Sequence, residues 1–129
     1  MSFKDKYGQN NTLAEEGNWV ELAPDVWIKI RRSSSKHAQK ILTSLMKPYE
    51  AARARGKELT PSQQEEVNLR FIQEALLVDW DIPELGTYAE ADVVQILREA
   101  PDFQSDIVTQ SGILDNFKIQ QDVERAKNS

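Results

Sequence analysis

Trp19-Val20-Glu21-Leu22-Ala23-Pro24-Asp25-Val26-Trp27-Ile28-Lys29-Ile30 is the stretch on which the fold turns. Its two arms are rich in β-branched and aromatic residues, which suit a pleated, half-buried surface. Between them, Pro24-Asp25 is a turn signal. In the second arm Val26, Ile28 and Ile30 alternate with Trp27 and Lys29, the period of two that places one set of side chains on one face. The segment reads as a β-hairpin. A lone hairpin is marginal in water, so it must pack on something, and the remaining sequence offers helices.

Working outward toward the C-terminus, Ser33-Ser34-Ser35 supplies helix N-caps. Ala38, Ile41, Leu42, Leu45, Met46, Tyr49 and Ala52 follow at steps of three and four, an apolar stripe along one helix face. This helix is expected to run to about Arg55, with Gly56 as a left-handed stop. Pro48 lies inside it and is expected to kink or split it near Met46–Lys47, because proline removes a backbone donor and clashes with the preceding turn. Thr60-Pro61-Ser62-Gln63 is a strong helix start: a cap, a proline suited to the first position, and a capping box. From there Val67, Leu69, Phe71, Ile72 and Ala75-Leu76-Leu77-Val78 predict a helix reaching Trp80, apolar nearly all round in its second half and hence central to the core. Asp81 to Gly86 breaks the pattern. Thr87 with Glu90 forms a second capping box ahead of Val93, Val94 and Leu97, and Pro101 opens a last helix.

The expected fold is therefore mainly α: a small helical domain of four to five helices with an N-terminal β-hairpin, spanning residues 18–125. Residues 1–17 are polar and aperiodic and read as a flexible arm; residues 126–129 read as a frayed C-terminus. The 129 residues suit one domain. A net charge of −5 sets the protein against DNA and anionic membranes on average. Two local basic groups run against that balance: Lys29-Ile30-Arg31-Arg32 with Lys36, His37 and Lys40, and the turn with Arg53, Arg55 and Lys57. They read as solvated residues that complement helix ends. No apolar run approaches the roughly 18–20 residues that span a bilayer, and the first residues lack the apolar core of a secretory signal. The absence of cysteine removes disulfides, thiolate metal sites and a thiol nucleophile.

The sequence carries few residues in patterns that point to chemistry. With one histidine, His37, and no cysteine, zinc would need mostly carboxylates, which is unusual, so no metal and no cofactor are expected. The glycines at positions 8, 17, 56, 86 and 112 build neither a Walker loop nor a dinucleotide fingerprint. The serine cluster lacks a nucleophile elbow. Glu65-Glu66 points to different sides of a helix and reads as a solvated face. Asp79-Trp80-Asp81 is the more interesting group, with Trp80 read as a core residue at a helix end. The reading is a non-enzymatic protein that binds other proteins.

One ordered set of residues resembles a known family. Trp27-Ile28-Lys29-Ile30 is followed by Leu45-Met46-Lys47-Pro48-Tyr49 and then by Glu74-Ala75-Leu76-Leu77-Val78-Asp79-Trp80. Tyr88, Val93-Val94-Gln95-Ile96-Leu97, Pro101-Asp102-Phe103 and Leu114-Asp115-Asn116-Phe117 complete it. Over most of residues 18–125 this order is similar to the tail assembly chaperones of long-tailed bacteriophages. The resemblance implies a protein made in the host cell cytoplasm that binds the tape measure protein, assists the tail tube protein to assemble around it, and is absent from the finished virion. It also implies a longer frameshifted form in many members, and it carries over no catalytic residue. The alternatives are a virion structural adaptor, such as a connector or tail completion protein, and a nucleic-acid-binding regulator using residues 29–40. For the partner-binding surface the C-terminal stripe Phe103, Ile107, Val108, Leu114 and Phe117 is the candidate. Two readings of this stripe stand side by side: it is core, since amphipathic helices usually face their own core, or part of it packs against a partner or a second copy.

Overall fold

The hairpin forms as read. In a computed structural model that describes residues 2–118, β1 (Asn18–Ala23) and β2 (Val26–Ile30) pair antiparallel, with Val20 opposite Ile28 and Glu21 opposite Trp27. Asp25 closes the turn at φ 63°, a left-handed conformation that Asp tolerates better than most residues. Ile28 and Ile30 are fully buried, and the alternation between them defines the core face.

The sheet does not stop at the hairpin. β3 (Leu77–Asp81) adds to the other side of β2, with Ile28 opposite Trp80 and Trp27 opposite Asp81. This corrects the expectation of a helix continuing to Trp80. The helix α5 (Pro61–Phe71) passes into a π turn, Ile72–Leu76, and the chain then becomes a strand. A continuous apolar run of this length reads equally as buried helix or buried strand from periodicity alone. The open edge of β2 decides the matter by offering Leu77–Asp81 a backbone ladder. The described residues are 61% helical, with a three-stranded antiparallel sheet in the order β1-β2-β3. The architecture is thus mixed, mostly helical, rather than a bundle of four to five helices with an attached hairpin.

The local signals for the middle helices hold. Ser35 caps α3 (Lys36–Met46) by accepting from the Ala38 amide at 3.1 Å. At Pro48 the helix gives way to a 3-10 turn, Lys47–Tyr49, before α4 (Glu50–Ala54). Gly56 follows at φ 80°. Thr60 and Gln63 form the capping box of α5, at 3.2 and 2.9 Å. The second box does not form. The Thr87 carbonyl instead accepts from the Glu90 and Ala91 amides in a tight turn, and Asp92 caps α6 (Val93–Glu99) through the Gln95 amide at 3.2 Å. Asp92 wins because it stands directly before the first apolar turn, the position a cap must occupy. Pro101 opens α7 (Pro101–Ser111) as expected.

Residues 2–17, expected to be a flexible arm, are ordered into two short helices, α1 (Phe3–Tyr7) and α2 (Asn11–Glu16). Ala14 of α2 is fully buried and Leu13 packs on the core. Hydrogen bonds hold this segment down. The Asn10 amide donates to the Phe117 carbonyl at 2.8 Å and the Arg32 amide to the Ala14 carbonyl at 3.0 Å. The Arg31 Nε donates to the Glu15 carbonyl at 2.8 Å. None of these requires an apolar side chain, so hydropathy could not reveal them. α1 differs, having no buried residue. Residues 126–129, read as a frayed terminus, lie outside the described residues.

The core lies between the sheet face carrying Ile28, Ile30 and Trp80 and the layer formed by the end of α5, the π turn, α6 and α7. Trp80 anchors the connection between β3 and α6. Its Nε1 donates to the Gly86 carbonyl at 2.9 Å, and Tyr88 meets its ring edge-on at 5.0 Å. Satisfying the indole N–H is the usual condition for burying a tryptophan.

Candidate partner-binding surface

The structure divides the C-terminal stripe by depth. Ile107 and Phe117 are fully buried and Phe103 packs partly buried against the core. Leu114 is half-buried. Val108 alone of the five stands out in water, 47% exposed. Ile107 and Val108 are neighbours in sequence yet serve opposite roles, because successive residues on a helix point about a quarter-turn apart. Core and surface are thus interleaved along one helix, and the stripe is not one surface.

Two depressions flank α7, one including Val108 and the other Phe103. The first is an open groove between α5 with its π turn and α7, about 440 Å³, lined by Asn68, Phe71, Ile72, Gln104, Ser105, Val108 and Thr109. The second is a smaller, more apolar cleft of about 180 Å³ on the other flank, where Val26, Ile82, Leu85, Ile96, Ala100 and Phe103 meet beside Glu84. The first lining holds no ionisable side chain and the second holds only Glu84. The first therefore offers apolar contact beside neutral hydrogen-bonding side chains, and the second is apolar apart from Glu84. Charge sits just beyond. Asp102 and Asp106 are exposed on α7, one turn from Ser105 and Thr109, and α7 carries no basic residue. Asn68, Phe71, Gln104 and Thr109 were not legible as site residues, because a groove between two helices exists only once the helices have packed.

The remaining sequence candidates resolve into structural roles. Arg31 and Arg32, the centre of the basic stretch, face inward: Arg31 serves the Glu15 and Ala75 carbonyls, and Arg32 donates to the Gln9 side chain. Burial pulls Arg31 below its ordinary value, with Glu15 acting against that shift. Arg53 and Lys57 line an open polar depression beside Glu58 and Gln64. His37 sits in the first turn of α3, where its backbone N–H meets Glu15. Trp80 of the Asp79-Trp80-Asp81 group is core, and the Asp79 carboxylate accepts from the Trp80 amide at 2.8 Å. Tyr88 is raised above its ordinary value, chiefly by burial and further by Asp79, while Arg31 acts the other way. Among the described residues, no cluster of three or more His, Cys, Asp or Glu side chains is placed to hold a metal ion. None of their helices is long and apolar enough to cross a membrane. Comparison with protein-family models, with curated proteins and with solved structures returned no match.

Proposed function

We propose that the protein is a bacteriophage tail assembly chaperone that binds the tape measure protein and assists assembly of the tail tube around it, without catalysis. The observation that carries this reading is the ordered set of residues from Trp27 to Phe117 that resembles that family. The groove between α5 and α7 supports it physically. A tape measure protein is long and helical, and its exposed apolar stripes drive self-association. An open groove with Phe71, Ile72 and Val108 in its lining suits a helix laid along it, anchored at spacings of three and four residues. A net charge of −5 keeps such a complex soluble. On this reading the protein acts in the host cytoplasm and leaves before the virion is finished.

Co-expression with the tape measure protein of the same phage tests the proposal. A soluble complex is expected, and Val108→Lys is expected to weaken it without altering the fold. A tape measure protein whose solubility is unchanged by the chain, with no complex recovered, refutes the reading. Recovery of the chain in finished particles points instead to a structural adaptor.

A further inference from the structure

α1 is a helix that buries none of its residues. It is five residues long, Phe-Lys-Asp-Lys-Tyr, closed at its start by a capping box between Ser2 and Asp5. A helix this short is not stable in water by itself. Phe3 and Tyr7 stand at i and i+4 on one face with ring centroids 5.1 Å apart, and they are 76% and 53% exposed, the two most exposed large apolar side chains described. Lys6 lies over the Tyr7 ring at 5.2 Å. The segment that follows is clamped: Gln9 bridges to Lys118, and the Asn10 amide bonds the Phe117 carbonyl. α1 is thus held out from a fixed base, presenting an aromatic pair flanked by Lys4 and Lys6.

We propose that α1 of one copy docks into the α5–α7 groove of a second copy, with Phe3 and Tyr7 against Phe71, Ile72 and Val108. Shape and charge both favour this occupant. An aromatic pair at i, i+4 is the anchor spacing a groove between two helices receives. The groove lining is neutral and its flank on α7 is acidic, carrying Asp102 and Asp106 and no cation, whereas α1 carries two lysines against one carboxylate. Opposite charge on the two surfaces steers and orients their encounter. The base of α1 is anchored to its own body, which leaves the aromatic pair available to another body. The contact area is small, so the association is weak and depends on concentration.

The inference goes beyond the chaperone reading and does not need it. Where that reading holds, the arm of a second copy occupies the client groove until a client displaces it, and free protein self-associates while loaded protein does not.

Sedimentation velocity of the full chain over a concentration series tests the proposal. Self-association is expected to rise with concentration, to disappear in the double variant Phe3→Ala/Tyr7→Ala, and to disappear in Val108→Lys, which sets a cation against Lys4 and Lys6. Mixing the two variants is the decisive arm, because one keeps the groove and the other keeps the aromatic pair. The mixture is expected to associate more strongly than either variant alone. All three side chains are exposed, so circular dichroism is expected to show unchanged folding, and Ser105→Lys serves as a second groove variant. A chain that stays monomeric throughout the series overturns the second-copy occupant. Association lost with the arm variant but kept with both groove variants overturns the groove assignment, as does a mixture no stronger than its components. None of these readouts involves a tape measure protein, so failure here leaves the client proposal to its own test.

Discussion

Replacing Glu15 by glutamine is expected to destabilise the protein by about 1 kcal/mol at neutral pH, with the loss vanishing in acid. The Glu15 carboxylate reaches across from α2 to the start of α3, where Oε2 accepts from the Lys36 amide at 2.7 Å and Oε1 from the His37 amide at 2.9 Å. Those amides belong to the first turn of a helix and have no partner within it. Glutamine keeps one acceptor oxygen but turns an amino group toward the second amide, and it removes the negative charge that favours a helix N-terminus. Losing a cap costs about 1 kcal/mol, and losing the charge adds about 0.5 kcal/mol where the site is partly open to solvent. Glu15 is half-exposed, so the lower part of that sum applies. A loss of this size moves the melting temperature down by roughly 3–5 °C in a chain of this length. The backbone hydrogen bond from His37 is the main force holding the Glu15 carboxyl below its ordinary value of 4.5, and burial opposes it. A depressed folded-state value means that the stabilisation is present above the unfolded value and is lost as pH falls through the folded one. Urea unfolding of both proteins should therefore separate them at pH 7 and bring them together at a pH well below 4.5. Equal stability at pH 7, or a gap that persists unchanged in acid, refutes the capping account.

Other substitutions have equally specific expected outcomes. Ser111→Ala is expected to leave stability unchanged or raise it by up to about 1 kcal/mol, because the buried Ser111 hydroxyl finds no partner among the described residues; thermal melting measures this. Gly17→Ala is expected to cost more than about 1 kcal/mol by urea titration, since Gly17 sits at φ 108° and a Cβ there would stand 3.2 Å from Val78 Cγ2 and 3.3 Å from the Ile30 carbonyl oxygen. Phe117→Ala is expected to cost about 3–5 kcal/mol, as emptying a fully buried aromatic site does. Val108→Ala is expected to stay within about 0.5 kcal/mol, as surface changes do. Chemical denaturation of the last pair checks the division of the C-terminal stripe into core and surface.

The features legible in sequence were those written in a few adjacent residues. Thr60-Pro61 with Gln63, Pro48, Gly56 and the turn at Pro24-Asp25 each act locally, and each appears where its chemistry places it. β3 was not legible because Leu76-Leu77-Val78 is apolar on every side, and only a neighbouring strand edge makes part of such a run extended. α2 was hidden for another reason: its buried side chain is a single small alanine, and backbone hydrogen bonds to Arg32 and Phe117 do the rest. The Ser2–Asp5 box of α1 was present in the sequence, but with no apolar stripe behind it the segment read as coil. At the candidate surface, Val108 and Phe103 were named in advance alongside residues that are core. Their separation depends on which way α7 is turned, and that is set by its packing against the π turn and α6.

The clamp between the Asn10 amide and the Phe117 carbonyl bears on the order in which the molecule is made. Synthesis runs from the N-terminus, and domains tend to fold as their residues emerge. The hairpin can zip early, since its partners are close in the chain. Asn18 must wait for Asn116, 98 residues later, before its side-chain amide finds the carbonyl it bonds. Asn10 waits longer still. Pairings between such distant positions slow folding, because the loop entropy is lost before the contact returns anything. A nascent chain halted before Phe117 is therefore left with α1 and the start of α2 unfastened and open to whatever chaperone or protease is at hand, while Arg31 and Arg32 already hold the end of α2.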